Sequence, residues 1–157
     1  MKTYSLIQAG RAAAFACALG GLCLAAAPAH AALGEAASVP AGATTRTLAG
    51  GAARVVSYLD GGGTQINEYV TSGTGTIFAY TWQGPTQPNL DTLLGRYAAD
   101  WRNDAAAQRA SGRDDLHTAR VDGARVVVET SGHMRAYMGR AWLPAALPAG
   151  VSEGDLQ

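Results

Sequence analysis

The chain has 157 residues, with twelve basic and twelve acidic side chains, a formal net charge of zero and 48% hydrophobic residues. It contains no basic block, which argues against a nucleic-acid partner, because that needs a clustered positive surface. Both cysteines, Cys17 and Cys23, fall within an N-terminal apolar run, so the chain beyond that run has no disulfide to staple it.

Residues 1–31 read as an export signal. Lys2 and Arg11 give a positive start, and no acid precedes Glu35. Ala12–Ala27 is apolar, and Ala29-His30-Ala31 has the small-x-small pattern that a signal peptidase cuts. The run is broken by Gly20 and Gly21 and is shorter than the roughly 20 residues a spanning helix needs. Neither cysteine suits lipidation: Leu22 precedes Cys23, and Ala14 stands three places before Cys17. Cleavage is expected after Ala31. It would release a periplasmic or secreted protein with no membrane span, large enough for one core.

Residues 32–51 are rich in Ala, Gly and Thr and read as a flexible N-terminal arm, with a short edge strand at Thr44–Leu48. Three strand-like runs follow: Arg54–Leu59, Thr64–Val70 and Thr76–Trp82. They are joined by the turn clusters Asp60–Gly63 and Thr71–Gly75. Pro85 and Pro88 end the third run, and Asn89 is placed to cap a helix with Asp91 in its first turn. Leu90, Leu93, Leu94, Tyr97, Ala98, Trp101 and Ala105 fall on one helical face, and Ser111-Gly112 ends the helix. Trp101 and Tyr97 are expected in the core. Arg113–Gly123 reads as a polar connection that could carry a short extended piece.

The strand Ala124–Thr130 then leads into "SGHMRAYMGRAWLP". A three-residue loop, Thr130-Ser131-Gly132, would put Glu129 opposite His133 and Val128 opposite Met134, because directly opposed residues share a face. Val126, Val128, Met134, Ala136, Met138 and Trp142 would then face the helix. Glu129, His133, Arg135 and Tyr137 would face outward, with Arg140 turned out near the strand end and Gly139 a bulge or close-approach point. That stripe, Glu129, His133, Arg135, Tyr137 and Arg140, is the candidate binding patch. Histidine titrates near neutrality, arginine clamps anions, and tyrosine stacks or donates.

A catalytic reading of this stripe would also want a nucleophile or a second acid–base group, and the sequence order supplies none. Ser131 is too near His133 in the chain for a nucleophile–base pair, and no G-x-S-x-G elbow occurs. "DDLH" (Asp114–His117) is a weak match to a zinc site, and "DGGGT" lacks the lysine and following helix of a phosphate loop. No metal and no cofactor is expected.

Three stretches carry a family resemblance: "AHAALG" (Ala29–Gly34), "TIFAYTWQGPTQPNLDTLLGRY" (Thr76–Tyr97), and the closing block from Ser131 to Gln157 with "GHMR", "GRAWLP", "LPAGVS" and "DLQ". Together they resemble domain of unknown function 2844, a family of small exported proteobacterial proteins. The resemblance implies export and a single domain, and it brings no activity, substrate or site residue.

The expected architecture is α+β. Residues 52–143 would form a single antiparallel sheet, a three-stranded meander plus a C-terminal hairpin, packed on one amphipathic helix. Residues 144–157 would be an extended tail on the surface. The expected function is a non-enzymatic binding or assembly module for an exported protein or a small anionic ligand. The alternatives are a small hydrolase-like enzyme centred on His133, Arg135 and Glu129, or an inhibitor or accessory subunit of an exported partner.

Overall fold

The computed structural model describes residues 31–112 and 118–157. The apolar run Ala12–Ala27, His30 and "DDLH" lie outside the described residues.

Seven strands form one open antiparallel sheet. In chain order they are β1 (Thr44–Leu48), β2 (Ala53–Leu59), β3 (Gln65–Thr71), β4 (Ile77–Gly84), β5 (Thr118–Asp122), β6 (Val127–His133) and β7 (Ala136–Trp142). Their order across the sheet is β1-β2-β3-β4-β7-β6-β5. The α+β class and the antiparallel sheet follow the sequence, but the three-stranded meander plus hairpin does not. The N-terminal meander has four strands, counting β1. The second unit has three, because the expected polar connection ends in edge strand β5, which pairs with β6 along its whole length. β7 returns beside β4 and joins the two meanders.

The helical segment between β4 and β5 begins as its cap predicts, with the Asn89 side chain accepting the Thr92 N–H at 3.1 Å. It is not one helix. α1 (Leu90–Leu94) ends at Gly95, a 3-10 turn follows, and α2 (Ala98–Ala110) continues. Gly95 has φ +51, and a Cβ there would lie 2.5 Å from the Cβ of Ala32, so the break makes room for the N-terminal segment. Leu33 is fully buried there, and its N–H donates to the Leu93 carbonyl at 2.8 Å. The segment read as a loose arm thus enters the core at its start. Leu94 and Ala98 are buried as the helical spacing predicts, but Trp101 is only half-buried, packed at the margin of the same cluster.

Both faces of the sheet are covered, at least in part. On the helix side, Val56, Tyr58, Ile66, Tyr80, Trp82, Val128 and Ala141 pack against Leu33, Leu93 and Leu94. On the other side, Val55, Tyr69, Phe78, Ala79, Val127 and Trp142 form a second cluster beneath Val151 and Leu156 of the C-terminal tail. The tail follows the surface through two 3-10 turns. It is pinned at its end: Gln157 N–H donates to the Tyr69 hydroxyl at 2.8 Å, and that hydroxyl donates to the main-chain oxygen of Gln157.

The register of the last hairpin departs from the expected one. His133 pairs with Ala136, so the turn is Met134-Arg135, and Thr130–Gly132 remain strand. Glu129 therefore faces Arg140, not His133, and Val128 faces Ala141, not Met134. Met134 (φ 43) and Arg135 (φ 69) both take the left-handed conformation, as a two-residue primed turn requires. For side-chain-bearing residues that costs on the order of 1 kcal/mol each. The register repays it with two apolar pairs, Val128–Ala141 and Val127–Trp142, and an ionic pair at Glu129–Arg140. As a result Met134, Ala136 and Met138 are exposed instead of core, and Trp142 is buried on the face away from the helix.

Candidate functional site

The register aligns a polar row across six strands. Ser57, Asn67, Thr81, Arg140, Glu129 and Arg120 stand opposite one another in turn from β2 to β5. They share the sheet face away from the helix. Side-chain bonds link most of the row. Ser57 Oγ donates to Asn67 Oδ1 at 2.7 Å, and Asn67 Nδ2 donates to Thr81 Oγ1 at 3.0 Å. Arg140 Nε donates to Glu129 Oε2 at 2.5 Å, and Arg120 donates to Glu129 Oε1.

On one side of this row lies the apolar row that the tail covers. On the other, Gln65, Gln83, Met138 and Ser131 align in the same way. Among the described residues no element covers this second row, and a groove of about 580 Å³ opens over it, lined at one side by Leu156 and Gln157. Its size is that of a small-molecule site. Most of its wall surface is apolar, from Trp82, Met138, Leu156 and side-chain stems, and set into it are the uncharged amides of Gln65, Asn67, Gln83 and Gln157 and the hydroxyls of Thr81 and Ser131.

The charges in the groove already have partners. Glu129 bridges Arg120 and Arg140. Arg120 also pairs with Asp122 at 2.8 Å, and Arg140 Nη1 donates to the Glu153 carbonyl at 2.7 Å. Both guanidiniums lie over the Trp142 ring, at 5.4 and 5.1 Å from its centroid. Burial would raise the Glu129 carboxyl, but hydrogen bonds and charge from Arg140 and then Arg120 outweigh it and hold it below its ordinary value. Glu129 is thus an ionised clamp between strands and tail, not a proton donor.

The five residues of the expected patch do not gather. Glu129 and Arg140 lie in the groove. His133 shares their face but is exposed at the end of β6, four residues from Glu129, roughly 13 Å along the strand. Arg135 is in the turn and exposed. Tyr137 is on the opposite face, across from Gly132, where a Cβ would lie 2.5 Å from the Tyr137 ring. Glu129, His133 and Arg135 therefore form no joint acid–base centre. Among the described residues no three His, Cys, Asp or Glu side chains are grouped to hold a metal ion, and "DDLH" lies outside them. No helix among the described residues is long and apolar enough to cross a membrane.

Gln65, Asn67, Thr81, Gln83 and Ser131 were missed in the sequence. Their signal is a polar residue at every second position of three apolar strands, "QIN", "TWQ" and "SGH", all meeting at one level once the register is known.

The family model described as "Protein of unknown function (DUF2844)" matches residues 29–156. No curated protein and no solved structure matches the chain.

Proposed function

The chain belongs to the DUF2844 family, which supplies no inherited activity. From that premise we propose that it is an exported, non-enzymatic binding module whose groove takes a small uncharged ligand bearing hydroxyl or amide groups. The observation that carries this reading is the groove wall: strand-borne amides and hydroxyls set among apolar surface, beside arginines whose charge is already matched. An unpaired arginine would favour an anion. Here Glu129, Asp122 and Glu153 surround Arg120 and Arg140, so a second anion would meet net negative surroundings. That favours a neutral ligand over the anionic one the arginine-bearing stripe implied.

Non-enzymatic action is supported by the held, ionised state of Glu129 and by its separation from His133. Export is supported by the apolar run and the Ala29-His30-Ala31 site. The periplasm or the medium is then the place of action.

Neutral oligosaccharides and neutral oligopeptides share this chemistry, and a thermal-shift panel of both separates them. Ser131→Trp should fill the groove from a half-buried strand position without touching either core. Ligands that raise the melting temperature of the parent protein should leave this variant unmoved. Equal shifts in both proteins would place binding elsewhere.

A further inference from the structure

Glu68 is fully buried in the core between the sheet and the helical segment. Its Oε1 accepts from Tyr58 at 3.1 Å and from Tyr80 at 3.4 Å, while its Oε2 has no hydrogen-bond partner. No basic side chain among the described residues forms an ion pair with it. Such a carboxyl is costly to ionise, and burial raises it to about 7.

The Tyr80 hydroxyl that touches Glu68 also donates to the Ala31 carbonyl oxygen. The Ala32 nitrogen is therefore one carbonyl carbon away from an oxygen bound to the same hydroxyl. It already donates to Glu35 Oε2 at 3.0 Å. Ala32 is buried, Leu33 after it is fully buried, and Gly95 gives up its side chain to let Ala32 pass. Glu68, the buried carboxyl lacking a cation among the described residues, is thus linked through the Tyr80 hydroxyl to the peptide bond at which the export signal is expected to be cut.

Resting on the export reading, we infer that the Ala32 α-ammonium released by cleavage is the missing counter-charge of Glu68, so that leader removal completes the core. The chemistry is amide hydrolysis. Water adds to the Ala31 carbonyl, the C–N bond breaks, Ala31 leaves as a carboxylate and Ala32 gains an ammonium. With the leader gone the Tyr80 hydroxyl donates to Glu68 alone, and its oxygen can accept from the ammonium, so it bridges ammonium and carboxylate. Because Ala32 is buried and the Ala31 carbonyl is bonded to Tyr80 in the folded chain, the peptidase must cut before this corner closes. The groups facing Glu68 are Tyr58 from β2 and Tyr80 from β4, with Glu35 reaching Tyr80 from the N-terminal segment and Asp60 reaching Tyr58.

The test uses the full gene expressed in an exporting host. Two chains are compared, the parent and one with Ser-Gly inserted between Ala31 and Ala32, each with and without Glu68→Gln. In the parent product, beginning at Ala32, the α-amine should titrate at least one pH unit above its ordinary value of about 8. Glu68→Gln should lower it to the smaller elevation that Glu35 alone sustains, and lower the melting temperature. In the inserted chain the amine is displaced. Melting temperature should then fall between pH 5 and 7 as Glu68 ionises uncompensated, and Glu68→Gln should abolish that fall. An ordinary amine in a product that begins at Ala32, with Glu68→Gln acting alike in both chains, overturns the capture while leaving export intact. A product that begins elsewhere overturns the cleavage premise and the capture with it.

Discussion

Glu129 and Arg140 face each other across the β6–β7 ladder, and the same carboxylate holds Arg120 of β5. Three strands are tied at one point, and the tail is tied there too through Glu153. Glu129→Gln should cost about 1–3 kcal/mol, because charged hydrogen bonds are lost and two arginines are left partly unmatched. A denaturant titration measures it, and a cost near zero would mean the clamp is ornamental.

The same carboxyl sets an acid limit. Its value is lowered in the folded protein. A lowered carboxyl contributes stability that is present above its unfolded value, about 4.3, and is lost as pH falls through the folded value. Melting temperature should therefore drop below about pH 4.3, and Glu129→Gln should flatten that drop. An unchanged acid limb in the variant would show that other carboxylates dominate.

The hairpin turn holds two side-chain-bearing residues in the left-handed region, Met134 and Arg135. Met134 is 83% exposed, so it contributes little packing. Replacing the pair by Asn-Gly should stabilise the protein by roughly 0.5–1 kcal/mol, since that pair suits a primed turn. Met134→Asp, which the expected register would have made a core charge, should stay within about 0.5 kcal/mol of the parent. Unfolding by Met134→Asp would restore the expected register.

Much of the fold was legible because its signals are local. The turn clusters at Asp60–Gly63 and Thr71–Gly75, the β-branched runs and the Asn89 cap each act over a few residues. What was lost needed a distant partner. Gly132 reads as a turn residue, yet it is strand because Tyr137 lies across it. Gly95 breaks the helix because Ala32, far back in the chain, occupies the space. Gly139 was legible as a close-approach point, and Trp82 is what approaches it. The groove was hidden for the same reason: Asn67 and Thr81 meet across β3 and β4, but Arg140 joins them only through the β4–β7 pairing.

Trp142 and Trp101 should separate cleanly. Trp142 is 2% exposed beneath two guanidiniums, whereas Trp101 is half-buried at the core margin. Trp142→Ala should cost about 3–5 kcal/mol, and Trp101→Ala about half of that. The reverse order in chemical denaturation would move the main core back under the helix.

The most direct test of the groove is the side-chain amide NMR spectrum of the protein titrated with the neutral oligosaccharide and oligopeptide panel. A ligand seated as proposed should shift the amides of Gln65, Asn67 and Gln83 together and leave the backbone of Met134 and Arg135 still, and Ser131→Trp should erase the response. Shifts confined to His133, Met134 and Arg135, or a full response that survives Ser131→Trp, would contradict it.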